Sequence, residues 1–118
     1  MDFHALYEHG FARIAACTGR IALGDPAANA EAVLRHARAC DADGVAVAVF
    51  PELCLTGYSI EDLLLQDALL DGAERALEKV VAGSAELGPV LVAGVPLRHR
   101  DRVYNCAAVI HRGRILGM

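Results

Sequence analysis

The stretch VAVAVFPELCLTGYSIEDLL, residues 45–64, decides how the chain reads. Its first six residues, 45–50, are apolar without a break. A strand apolar on both faces belongs inside a sheet that is covered on both sides. Pro51 stops that strand, because its ring fixes φ and removes a ladder donor. Glu52 follows at once, and binding sites in open α/β sheets form beyond the carboxyl ends of strands. A carboxylate half-buried at such a point holds a proton more tightly, which suits general-base work near neutral pH. A solvated loop glutamate, or a charge near the start of the next helix, would look the same. Position alone does not choose between them.

Cys54 lies two residues on. In an extended segment that spacing puts Glu52 and Cys54 on one side of the chain. A cysteine nucleophile also needs a base, an oxyanion-stabilising group and an open pocket. Leu53 and Leu55 flank Cys54, so it reads as a packed thiol, in keeping with how often free cysteine is buried.

Outward from this stretch the chain alternates. Residues 11–18, FARIAACT, read as a first strand. Asp25 is a good N-cap and Pro26 suits the first helical position. Ala30, Val33, Leu34, Ala37 and Cys40 then recur on one helical face, and Gly44 stands where a helix ends. After residues 45–50 comes a loop with Thr56-Gly57. Ser59 with Asp62 three places later resembles a capping box, opening a short helix IEDLLLQ. A longer helix follows, with an apolar stripe of Leu70, Ala73, Leu77, Val80, Ser84 and Leu87. Gly88-Pro89 ends it, and Gly72 and Gly83 weaken it locally. Residues 90–97 form a continuous apolar strand, and two further strands meet at a tight turn, Arg112-Gly113. The order β-α-β-α-β-β-β predicts an α/β fold with a mixed sheet. The chain stops just after a strand begins, which predicts a piece of a larger domain, since apolar strand surface should be covered.

Composition narrows the function. The chain has 118 residues, 55% hydrophobic and 22% charged, with a net charge of -4. That is enough for one small domain with a large core. The acidic balance, and basic residues not interleaved with aromatics, argue against nucleic acid. The basic run from Arg98 to Arg102 reads as a solvated loop. No apolar run approaches the ~18 residues of a membrane span, and no signal-peptide pattern is present, so a cytoplasmic protein is expected. The four cysteines, Cys17, Cys40, Cys54 and Cys106, form no C-x-x-C pair and read as reduced thiols. The five histidines are scattered, with no pair at metal-binding helical spacing. The single lysine, Lys79, lies off the apolar stripe of its helix and reads as a surface residue.

At FPELCLTGY, residues 50–58, the sequence resembles the nitrilase (carbon–nitrogen hydrolase) superfamily. That family's first catalytic motif is a strand, Pro-Glu-Leu, and a Thr/Ser-Gly-Tyr turn. The segment leading from Gly24 to Glu52 resembles its first helix and glutamate strand, and VYNCAAVIHRGRILGM its later hairpin, in which Tyr-Asn opens the strand. GYSIEDLLLQDALLDGAERALEKV is similar to the glutaminase domain of glutamine-dependent NAD+ synthetases, and the opening FHALYEHGFARIAACTGRIALGDPAAN resembles the actinobacterial members. The resemblance implies a partial, truncated α-β-β-α sandwich, with residues 1–118 the N-terminal portion of a glutaminase domain and the synthetase domain absent. It implies a Glu–Lys–Cys triad that hydrolyses the glutamine amide. Only the glutamate maps here, onto Glu52; the lysine and cysteine are expected past Met118. Tyr58 matches the motif, either lining the glutamine pocket or supporting the turn. No cofactor is implied for these residues, whereas ATP and Mg2+ are expected in the synthetase domain. A homo-oligomer is implied for the complete protein only. A stand-alone amidase of the same superfamily and a non-catalytic folding or interaction module are the competing readings.

Overall fold

The computed structural model describes residues 2–118. Its regular elements are β1 (Ile14–Ala16), α1 (Pro26–Ala42), β2 (Val47–Val49), α2 (Asp67–Gly83), β3 (Val90–His99), β4 (Arg102–His111) and β5 (Arg114–Gly117), with short 3-10 turns at Leu6–His9 and Glu61–Leu65. The strands form one sheet in the order β1-β2-β3-β4-β5. β1, β2 and β3 run parallel, and β3, β4 and β5 antiparallel, so the sheet is mixed. Parallel crossovers are right-handed, and two that step the same way across a sheet put both helices on one face.

That face holds the core. Val33, Leu34 and Ala37 of α1 meet Ala73, Leu77 and Val80 of α2 above Ala48, Leu91, Ala93, Val95, Ala108 and Ile110 of the sheet. The opposite face is open within these residues: Ile14 is 72% exposed and Val49 45%. The expectation that the strand after Gly44 is covered on both sides is therefore met on the helix side alone.

The capping of α1 follows its sequence. The Asp25 side chain accepts from the Ala28 N–H at 3.1 Å, Pro26 is the first helical residue, and Gly44 has φ +67. Several boundaries differ from the sequence reading. β1 and β2 have three residues each, shorter than the apolar runs that contain them. Val45 and Phe50 are buried beside β2, so apolar burial extends past the ladder. The capping box at Ser59 does not form. Glu61 has φ +46, which breaks the turn between Ser59 and Asp62, and a 3-10 turn starts after Ile60 without a side-chain cap. α2 ends at Gly83, before Gly88-Pro89, because Ser84 takes over: its hydroxyl donates to the Val81 carbonyl at 2.7 Å and accepts from the Gly113 N–H at 2.9 Å. Gly83 has a packing reason, since a Cβ there would lie 2.6 Å from Leu34.

The two hairpins close on two residues each, Arg100-Asp101 and Arg112-Gly113, all with positive φ. This mirror-image turn geometry matches the twist of antiparallel strands. The basic run is solvated as expected, all five residues from Arg98 to Arg102 being exposed; it forms a hairpin tip, and Arg98 at its base is paired with Asp67 and Asp71 of α2. Among the described residues no helix is long and apolar enough to cross a membrane.

Candidate functional site

Beyond β2 the backbone turns sharply. Phe50 N–H still reaches the Val92 carbonyl of β3 at 2.9 Å, but Cys54 N–H then returns to the Pro51 carbonyl at 3.1 Å and Leu53 adopts φ +53. The turn lies flat on β3. Leu55 N–H donates to the Gly94 carbonyl at 3.1 Å. A Cβ on Gly94 would stand 2.3 Å from the Leu53 nitrogen and 2.6 Å from the Pro51 carbonyl oxygen, so only glycine allows this approach.

The far side of the turn is held from α1. Asn29, 1% exposed, donates to the carbonyls of Leu55 and Ala22 at 3.2 and 2.8 Å and accepts from the Ala22 N–H at 2.8 Å. One buried amide thereby ties the first helix, the loop before it and the Glu52 turn together, with its polar valences satisfied.

The turn separates Glu52 from Cys54. The two do not share a side, because the segment is folded at Leu53 and not extended. Glu52 is exposed, so the half-burial expected of it does not occur within these residues. Its carboxylate Oε1 accepts from the side-chain amide of Asn105 on β4. Cys54 points inward, 1% exposed, and its thiol donates to the Gly94 carbonyl at 3.5 Å. Burial pushes that thiol up from 9.0 to about 11. A packed thiol so slow to ionise is no nucleophile.

A pair of thiols lies near the core. Cys17 and Cys40 stand with their sulfurs 3.7 Å apart, and burial, followed by the contact with Cys40, pushes Cys17 up to about 11. Unfolding returns Cys54 and Cys17 to ordinary values. Between pH 9 and 11 the unfolded chain therefore holds fewer protons than the folded one, and stability falls as pH rises through that window. The denaturant midpoint should drop more steeply above pH 9 in the parent protein than in Cys54→Ala. Equal slopes would contradict the buried thiol. At pH 8 Cys54 should carry roughly 100-fold less thiolate than an ordinary cysteine and resist alkylation until the chain unfolds.

Glu52 opens onto a cavity of about 630 Å³ lined also by Leu53, Tyr58, Ser59, Pro96, Tyr104 and Asn105. The structure thus brings Glu52 and Tyr58 to one cavity. Tyr58 is 68% exposed. Among the described residues no lysine or arginine lines this cavity. Lys79 is paired with Glu31 on the helical side, where its hydrogen bond and then its charge hold the Glu31 carboxyl below the ordinary range. Among the described residues no three His, Cys, Asp or Glu side chains gather as a metal ion would require.

Sequence reasoning missed Gly94, Asn29 and Asn105. A glycine inside the apolar run VLVAGVPL signals close backbone approach, so Gly94 was open to detection. Asn29, inside an alanine-rich helix, carried no such signal.

Comparison with known proteins agrees with this fold. The carbon–nitrogen hydrolase family model matches residues 13–117. A glutamine-dependent NAD(+) synthetase of Mycobacterium tuberculosis is 64% identical over all 118 residues, and that of Mycobacterium leprae 59%. The chain spans 17% of the length of each. Among solved structures, a glutamine-dependent NAD(+) synthetase from Cytophaga hutchinsonii matches with a TM-score of 0.82 at 26% identity, over 90% of this chain and 18% of that one. An amidase from Nesterenkonia sp. matches with a TM-score of 0.79 at 20% identity, over 90% of this chain and 41% of that one, a likeness of fold alone.

Proposed function

Because the chain belongs to the carbon–nitrogen hydrolase family, we propose that Glu52 is the general base of a glutaminase site, whose ammonia serves the ATP-dependent conversion of nicotinic acid adenine dinucleotide to NAD+. The observation that carries this reading is the placement of Glu52. It stands at the exit of β2, in a turn pressed onto Gly94, with its carboxylate in an open cavity. The 64% identity to an NAD(+) synthetase across every residue favours this reading over a stand-alone amidase.

In this chemistry a cysteine thiol gives its proton to Glu52 and attacks the side-chain carbonyl carbon of glutamine. The tetrahedral oxyanion collapses, the carbon–nitrogen bond breaks, and the proton passes to the leaving nitrogen, which departs as ammonia. Water, activated by Glu52, then hydrolyses the thioester. The oxyanion calls for a cation, a lysine in this family. Cys54 is packed inward and Lys79 is paired with Glu31, so both partners of Glu52 come from other parts of the full-length protein. Tyr58 walls the glutamine pocket. ATP and Mg2+ act in the synthetase domain, and no step at Glu52 passes through them. The full-length protein is a cytoplasmic homo-oligomer without a nucleic-acid or membrane partner.

Two polypeptides test this. The full-length protein should release ammonia from glutamine and form NAD+ from nicotinic acid adenine dinucleotide and ATP. The 118 residues alone should release no ammonia above a Glu52→Ala control. Absence of glutamine-dependent NAD+ formation in the first case would overturn the function. Ammonia release in the second would overturn the claim that the nucleophile lies elsewhere.

A further inference from the structure

Asn105 belongs to β4, where it lies opposite Pro96 of β3. Along β4, Cys106, Ala108 and Ile110 pair with Val95, Ala93 and Leu91, which face the helices. Successive strand residues alternate, so Asn105 falls on the open face, where the Glu52 turn lies. Its amide Nδ2 donates to Oε1 of Glu52, and both side chains line the same cavity.

This contact answers a problem that the fold otherwise leaves open. Gly94 and Asn29 hold the backbone of the turn, but the Glu52 side chain has three rotatable bonds and is exposed. Among the described residues the Asn105 amide is the one hydrogen-bond donor to its carboxylate. A general base must present one oxygen to the proton it takes, within hydrogen-bond reach and along a fixed direction. The other oxygen is free to be held.

We propose that Asn105 is a positioning residue for Glu52: its amide fixes Oε1 and leaves Oε2 directed at the proton to be removed. This rests on the reading of Glu52 as general base. A carboxamide suits the task because it donates a hydrogen bond without bringing a charge, so it holds the carboxylate without forming an ion pair that would compete for it.

The experiment uses the full-length protein and glutamine-dependent ammonia release, with Glu52→Gln as the reference. Asn105→Ala should lower kcat about 10- to 100-fold, the range of a lost hydrogen bond to a charged group, and leave KM within about twofold. Asn105→Asp, equal in size but a second carboxylate facing Glu52, should fall at least as far. Added to Glu52→Gln, Asn105→Ala should change the residual rate no further, since it acts through the carboxylate that is already gone. The thermal midpoint should match the parent. Glu52→Gln inactive with Asn105→Ala at the parent kcat would overturn the proposal alone. So would equal losses from Asn105→Ala in the parent and in Glu52→Gln, which mark a structural role. Glu52→Gln at the parent rate would overturn the general-base reading, and the proposal with it.

Discussion

Glu52→Gln in the full-length protein should lower glutamine-dependent NAD+ formation by about 10²- to 10⁴-fold, the usual worth of a positioned general base. The substitution keeps the side chain's length and shape. It removes the capacity to take a proton, and the amide oxygen of glutamine can still accept from Asn105. Glu52 is exposed, and exposed substitutions of this kind shift stability by about 0.5 kcal/mol or less, so the loss would be chemical and not a loss of fold. NAD+ formation from an ammonium salt bypasses amide hydrolysis and should proceed at the parent rate. That second measurement makes the result specific. Loss of both activities would mean that Glu52 supports assembly, and retention of glutamine-dependent rate within tenfold would remove it from the reaction.

What could be read in the sequence, and what could not, divides along physical lines. The element order was legible because helix and strand periods differ and because Asp25-Pro26 and Arg112-Gly113 are strong local signals. The strand–Pro–Glu junction was legible too, since proline leaves few ways to leave a sheet. Contacts between distant segments were not. Whether Ser59 caps a helix depends on φ at Glu61, which no local residue announces. Cys54 is the packed thiol the sequence suggests, but its placement on one side with Glu52 does not hold, for a similar reason. Alternation holds only for an extended chain, and β3 folds this one over at Leu53. Arg98 to Arg102 is the solvated charge run it reads as, but the pairing of Arg98 was hidden, because Asp67 and Asp71 lie about thirty residues away. Asn105 was visible only as part of a Tyr-Asn pair; that it reaches Glu52 follows from the register of β4 on β3.

Gly94→Ala should be nearly as damaging as loss of the carboxylate itself, although Gly94 bears no functional group. The Cβ it adds would stand 2.3 Å from the Leu53 nitrogen, 2.6 Å from the Pro51 oxygen and 2.9 Å from the Glu52 carbonyl carbon. All three are backbone atoms, so no side chain can swing aside. The turn must lift from β3 by about 1 Å to reach ordinary van der Waals contact, and a reacting group misplaced by that much costs about 10²-fold in rate. Lifting also stretches the Leu55-to-Gly94 hydrogen bond of 3.1 Å and disturbs the seat of Cys54. Overpacking of this kind destabilises by about 1–3 kcal/mol, which a denaturant titration would register. Gly72→Ala, inside α2 and away from the cavity, is the matched control, since a Cβ there meets Pro26 at 3.4 Å, an ordinary contact, and it should leave the rate unchanged. The ammonium-dependent reaction again separates the site from the fold, and should survive in Gly94→Ala wherever the protein stays folded. If Gly94→Ala turned over glutamine at the parent rate, the close seating of the turn on β3 would not be what places Glu52. The carboxylate would then owe its position to its side-chain contacts alone.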